Sequence, residues 1–177
     1  QEGKPQFPTL ADVRTRRNWQ DGDTANLAIG QGPITVTPLQ MTVMTAAVAN
    51  GGKVFSPRVV DRITPVDPTR ANEAKIFPPA KVRGTLKVKP ENLAHVQRAM
   101  FADVADDDGT GKRARIEGFA VCGKTGTAEV RNREGRHKIT WFASYGPFEK
   151  PKYAVVVMVE RGASGGLSCA PAARKIY

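Results

Sequence analysis

The tetrad Lys124-Thr125-Gly126-Thr127 constrains this chain more than any other stretch; it is entered through Phe119-Ala120-Val121-Cys122-Gly123 and left through Ala128-Glu129-Val130. Apolar and small residues lead into it as they would along a short strand, near Phe119 to Lys124. Such a strand brings a cation, a hydroxyl and a side-chain-free backbone to its working end. Those three groups suit one task, holding an anionic, amide-bearing substrate while an acyl group is transferred.

The surroundings of the tetrad carry a pattern over nearly the whole length. From Trp19 runs Gln20-Asp21-Gly22-Asp23-Thr24-Ala25-Asn26-Leu27-Ala28-Ile29-Gly30-Gln31-Gly32, continued by Thr37-Pro38-Leu39-Gln40-Met41 and closed by Ala49-Asn50-Gly51-Gly52. Asp108-Gly109-Thr110-Gly111 precedes the tetrad, Trp141-Phe142-Ala143-Ser144-Tyr145 follows it, and Cys169-Ala170-Pro171-Ala172-Ala173-Arg174-Lys175-Ile176 comes near the end. In these residues the chain resembles class B penicillin-binding proteins, and the Gly-Asp-Thr...Gly-Gln-Gly wording resembles the elongation-type enzymes more than the division-type ones. Lys-Thr-Gly is one of three signatures of the wider serine acyl-transferase group, the others being Ser-x-x-Lys and Ser-x-Asn or Ser-Asp-Asn. Of the serines Ser56, Ser144, Ser164 and Ser168, none has Lys three residues on or Asn two residues on. The expectation is a substrate-binding half-site whose nucleophile lies outside this chain.

The resemblance implies an α/β fold of the penicillin-binding transpeptidase and serine β-lactamase type, an antiparallel sheet covered by helices. It implies that residues 1–177 are the C-terminal part of a single transpeptidase domain, lacking N-terminal strands and most of the helical lobe. Membrane anchor, pedestal and first catalytic segment are then expected before Gln1, and the location is extracytoplasmic, at the periplasmic face of the inner membrane. The implied activity is a serine D,D-transpeptidase that cross-links peptidoglycan stem peptides. Its ligands would be the D-Ala-D-Ala stem and β-lactam antibiotics, its partner the remainder of the domain, and it would need no cofactor or metal. By the same resemblance Lys124 and Thr127 are catalytic, and Thr125, Gly126 and Thr127 bind substrate. The Thr127 N–H would be one oxyanion donor, the absent serine supplying the other; the Thr125 and Thr127 hydroxyls would bond the substrate carboxylate. Gly126 would let the substrate lie along the strand, and Lys124 would supply fixed charge that lowers the pKa of neighbouring hydroxyls. A catalytically inactive cell-wall binding module, or a β-lactamase or β-lactam sensor, is the alternative.

Composition fits a folded piece: 40% of the 177 residues are hydrophobic, enough for one core. No stretch approaches the ~20 apolar residues that cross a bilayer, and Gln1-Glu2-Gly3-Lys4-Pro5 has no apolar signal region. Lys and Arg number 27 against 17 Asp and Glu, a net charge of +10. The basic residues cluster at Arg14, Arg16 and Arg17, at Lys112, Arg113 and Arg115, and at Arg131, Arg133, Arg136 and Lys138. No aromatic ladder interleaves them as single-strand stacking needs, so no nucleic acid is expected. Solvated loops are the default for such clusters, and attraction to a polyanion is the alternative. Cys122 and Cys169 permit one bridge at most, if the last helix packs on the sheet; two inert buried thiols are the simpler expectation.

Thr37 can cap and Pro38 open a helix with Leu39, Met41, Val43, Met44 and Val48 as its apolar residues and Gly51 to end it. A proline-rich connector with β-like pieces follows. Pro90 opens a second helix, with Leu93, Val96, Met100 and Val104 spaced for one buried face. Three strands come next, near Phe119 to Lys124, Ile139 to Tyr145 and Tyr153 to Val159; polar separators at 131–138 and 147–152 make an antiparallel meander. Ala170 to Ile176 begins a helix expected to continue past the end.

Two further motifs are decoys. Gly162-Ala163-Ser164-Gly165-Gly166 fits a nucleophile elbow, but no Asp, Glu or His follows to complete a triad. Asp106-Asp107-Asp108-Gly109-Thr110-Gly111 with Glu117 has the spacing of a calcium loop, yet Lys112, Arg113 and Arg115 would oppose the ion. His95 and His137 have no partner at metal-ligand spacing.

Overall fold

A computed structural model describes residues 19–32, 35–132 and 135–177; Arg14, Arg16, Arg17 and Arg133 lie outside these, and at residues 131 and 132 only the backbone is described. The first element is a short helix, α1 (Asp21–Ala28). The Asp23 carboxylate accepts from the Gln20 N–H at 3.0 Å at its N-terminus. Sequence periodicity gave no hint of it, since the helix has no buried residue.

Helix α2 (Pro38–Ala49) begins as expected. The Thr37 hydroxyl accepts from the Gln40 N–H at 3.2 Å, and the Gln40 side chain accepts in return from the Thr37 N–H at 2.8 Å. Gly51 follows the helix at φ 84, a left-handed conformation that glycine reaches without strain. The inward residues are Thr45, Ala47 and Val48, whereas Leu39 is 58% and Met44 41% exposed. The apolar run was longer than the face the helix buries.

The connector folds into two small antiparallel pairs, β1 (Lys53–Phe55) with β4 (Val82–Thr85), and β2 (Arg62–Ile63) with β3 (Lys75–Ile76). Helix α3 (Pro90–Ala105) follows, with Leu93, Met100 and Val104 buried. Val96, expected on that face, is exposed instead. It lies on the flank of the stripe, and a seam this narrow needs only the other three.

The sheet consists of β5 (Cys122–Asn132), β6 (Gly135–Gly146) and β7 (Tyr153–Glu160), antiparallel in the order β5-β6-β7. The meander was legible in the sequence, but the first two strands are longer than expected. The β5–β6 register runs without a break from Cys122↔Tyr145 to Asn132↔Gly135. Polar residues at 131, 132 and 135–138 therefore continue the ladder, because backbone pairing persists where burial stops. The tetrad accordingly lies inside β5 and not at the end of a short strand. Phe119 instead forms a separate bridge with Ile116.

Side-chain alternation splits the core across the sheet. On one face Val121 and Phe142 pack with Val104, Ala114, Cys169, Ala170 and Ala173, the last two from helix α4 (Ala170–Ile176). On the other, Cys122 and Tyr145 pack with Val48, Leu93 and Met100. Cys122 and Cys169 are thus buried free thiols on opposite faces, although the last helix does pack on the sheet. Burial pushes the Cys122 thiol up to about 11. A Cβ at Gly123 would fall 2.2 Å from the Phe142 ring, so that ring fits only over glycine.

Candidate active site

The edge strand β5 presents the tetrad. No strand lies beyond β5 among the described residues, so its backbone groups facing away from β6 have no strand partner. The Gln31 side-chain amide donates to the Thr127 carbonyl at 3.3 Å, which marks Thr127 as an outward-facing residue. In a strand the N–H and C=O of one residue share an edge, so the Thr127 N–H points outward as well. Lys124 bends around the same edge: its Nζ donates to the Thr125 carbonyl at 3.0 Å and lies 3.5 Å from the Thr125 hydroxyl. Lys124 and Thr127 are exposed, and Thr125 and Gly126 half-buried. All four residues singled out in the sequence are consecutive on one accessible strand.

Behind Thr125 stands a network that the sequence reading missed. The Thr110 and Thr125 hydroxyls are 2.6 Å apart, and the Thr110 hydroxyl and N–H reach Asp103 Oδ1 at 2.6 and 3.2 Å. The other carboxylate oxygen, Oδ2, is buried without a hydrogen-bond partner among the described residues. Thr110 belongs to the Asp-Gly-Thr-Gly stretch already noted; Asp103 had no signal, since it is a single carboxylate in the apolar last turns of α3 with no motif around it. Gly109 and Gly111 let the loop fold this close. A Cβ on Gly109 would meet the Asp103 carbonyl at 2.2 Å, and one on Gly111 the Asp103 carboxylate at 2.7 Å.

The two decoys have structural duties. The Asp107 carboxylate pairs with Arg115 at 3.1 Å, and Lys112 donates to the Asp107 carbonyl, so cationic side chains take the loop oxygens that a metal would use. In the glycine-rich turn, Ser164 accepts from the Leu167 N–H at 3.2 Å and caps the next helical turn. A Cβ at Gly165 would fall 2.2 Å from the Trp141 carbonyl and 3.0 Å from Gly126 N, so this turn backs the tetrad. The other serines of this region are engaged too. Ser144 donates to the Val155 carbonyl at 2.9 Å and receives the Tyr177 hydroxyl at 3.0 Å, and Ser168 accepts from the Ala163 N–H at 3.0 Å. None stands beside a lysine base.

Chemically, this edge can bind an extended chain by backbone hydrogen bonds, offer an N–H to a developing oxyanion, and hold a carboxylate between hydroxyls and an ammonium. Comparison with known proteins finds the same arrangement of sequence and fold. The chain is 32% identical over 176 residues to peptidoglycan D,D-transpeptidase MrdA of Haemophilus influenzae, covering 92% of this chain and 26% of that protein. It superposes with a TM-score of 0.74 and 29% identity on penicillin binding protein 3 of Mycobacterium tuberculosis complexed with aztreonam, covering 89% of this chain and 37% of the other. With PBP2 of Helicobacter pylori, solved in complex with MreC, the TM-score is 0.70 at 28% identity, over 97% and 30% of the two chains. The chain spans about a quarter of the length of the curated relatives it matches. Residues 9–177 match the family described as penicillin binding protein transpeptidase domain, and on that match, the shared fold and the shared sequence, the chain belongs to this family.

Proposed function

We propose that this chain is the C-terminal part of one transpeptidase domain and the substrate-binding half of a serine D,D-transpeptidase. The observation that carries the reading is the outward-facing Thr127 backbone on an edge strand that also displays Lys124 and Thr125. A stem peptide ending in D-Ala-D-Ala lies along β5, past Gly126. Its terminal carboxylate meets the Thr125 and Thr127 hydroxyls and the Lys124 ammonium. A serine on the remainder of the domain attacks the penultimate carbonyl; the Thr127 N–H donates to the resulting oxyanion, and D-Ala leaves as the amine takes a proton. An amine of a second stem then attacks the acyl-serine and forms the cross-link. A β-lactam carries its carboxylate and amide into the same groups and stalls at the first acyl-enzyme. Loss of one oxyanion donor costs about 10² to 10³ in rate.

The setting follows from the same reading: the extracytoplasmic side of the membrane, with the elongation-type enzymes as the nearer subgroup. The MrdA relatives and the Gly30-Gln31-Gly32 wording support that placement. A partner of the MreC kind is a further candidate, supported by the Helicobacter pylori complex.

Intact mass after incubation with benzylpenicillin tests the assignment. The full-length protein should gain one acyl group, and the 177-residue chain alone should gain none. A stoichiometric adduct on Ser144, Ser164 or Ser168 in the isolated chain would overturn it.

A further inference from the structure

The sheet face bearing the Thr125 and Thr127 side chains does not stop at the tetrad. Directly opposed residues in an antiparallel pair share a face, and every second residue along a strand returns to it. Thr127 opposes Thr140, Glu129 opposes Lys138, and residue 131 opposes Arg136. Beyond β7, the Arg161 N–H donates to the Lys138 carbonyl at 2.7 Å and extends the row to a third strand. Arg136, His137, Lys138, Arg161 and Gly162 line one open groove of about 380 Å³. Lys138 stands two residues past the level of Thr127, about 7 Å along the strands, and Arg136 four residues past, about 14 Å.

Neither Arg136 nor Lys138 forms an ion pair among the described residues. Glu129 is the one carboxylate among the described strand residues on this face, and it forms no ion pair with Lys138; Glu160 opposes Ile139 and so belongs to the other face. Arg161 adopts φ 59, left-handed backbone that an arginine enters only at a cost and that Gly or Asn would fill more easily. A cation is therefore held there against local preference.

We propose that this groove is an anion-binding subsite for the carboxylates of the peptide laid along β5, upstream of its D-Ala-D-Ala end. The inference rests on the proposed transpeptidase reading, which fixes β5 as the substrate strand. The subsite selects acidic over neutral stem peptides. Long guanidinium and ammonium side chains suit it, because a ligand on the open edge of β5 lies two strand spacings, about 9.6 Å, from β6, a gap that such a side chain and an acidic side chain of the ligand close together.

The test uses the full-length protein and two synthetic peptides ending in D-Ala-D-Ala, one with free upstream carboxylates and one with them amidated. D-Ala release gives kcat/KM for each. Wild type should prefer the acidic peptide about tenfold at low salt, as two surface ion pairs would supply, and the preference should collapse at about 0.5 M salt. Arg136→Gln with Lys138→Gln should bring it within twofold of unity, and Lys138→Arg should keep it. Because both peptides meet the same folded fraction, partial unfolding cannot mimic the result. A double variant that retains the full preference, or a wild type acylated by benzylpenicillin that shows none, overturns the subsite alone. A wild type that is not acylated and releases no D-Ala from either peptide removes the transpeptidase reading and the subsite with it. If the double variant instead loses binding to anionic lipid vesicles while its peptide preference stays intact, the groove serves a membrane and the proposal is wrong.

Discussion

The Thr110 hydroxyl lies 2.6 Å from the Thr125 hydroxyl, and Asp103 Oδ1 lies 2.6 Å behind Thr110. A carboxylate only accepts, so Thr110 donates to Asp103, and Thr125 is then set to donate to Thr110 or to a bound carboxylate. Thr125 is thus oriented from α3 through a loop. Thr110→Val in the full-length protein should slow acylation by about 5- to 30-fold, the worth of one hydrogen bond of roughly 1–2 kcal/mol. Thr110→Ser should restore most of the rate. Stopped-flow acylation with a chromogenic β-lactam measures both, and a Thr110→Ser variant as slow as Thr110→Val would show that packing, not the hydroxyl, matters.

Lys124→Ala should slow acylation by at least tenfold with little change in melting temperature, since the side chain is exposed and its bonds run to the edge of its own strand. Gly126→Val should do comparable damage. A Cβ there would meet only the Trp141 Cβ at 3.5 Å, an ordinary contact, so the fold tolerates it and the loss falls on the substrate. Ser164→Ala should leave acylation unchanged and cost about 0.5–1 kcal/mol of stability, the value of a helix cap. Rates and melting temperatures measured side by side separate the three. Should Ser164→Ala abolish acylation while Lys124→Ala stays within threefold of wild type, the tetrad is not the working strand.

The strands, the α2 boundaries, the α3 start and the tetrad were legible because each rests on a local rule: a threonine cap, a proline start, an apolar run. Three things were not. The lengths of β5 and β6 depend on pairing between strands, which polar residues at 131–138 do not announce. Asp103 acquires its place only when the glycines at 109 and 111 let the loop fold back on it. The Gln31 contact with Thr127 joins residues 96 apart, a distance no periodicity reports.

Alkaline pH should weaken the fold through three acids, Cys122 and Tyr145 buried and Tyr177 half-buried. Burial raises Cys122 from its ordinary value near 9 to about 11 and Tyr177 from 10 to about 12, and it raises Tyr145 as well. Each is held neutral in the folded state and ionises more easily unfolded, so its contribution is whole below the unfolded pKa and is lost as pH rises through the folded one. For Cys122 the window is pH 9 to 11. One pKa unit corresponds to about 1.4 kcal/mol, so the rise from 9 to about 11 gives Cys122 alone an alkaline limb on the order of 3 kcal/mol. Thermal melts of wild type and Cys122→Ala from pH 8 to 11 check this. An equal slope in both proteins would remove Cys122 from the account.

Strand β7 has a partner on one side only among the described residues, and between Tyr153 and Glu160 every residue is apolar. An edge of this length and character is a template for another strand. Next to it α2 presents Leu39 and Met44, 58% and 41% exposed. The isolated chain should therefore self-associate, exchange strands, or melt without cooperativity, and gain a sharp transition when joined to the remainder of the domain. Val156→Lys at the middle of β7 should shift the isolated chain toward monomer, because a charge on an edge opposes strand pairing. Sedimentation velocity over a hundredfold range of concentration gives the answer. A monomer at every concentration, with one cooperative melt, would mean that α2 and the sheet already close their own core.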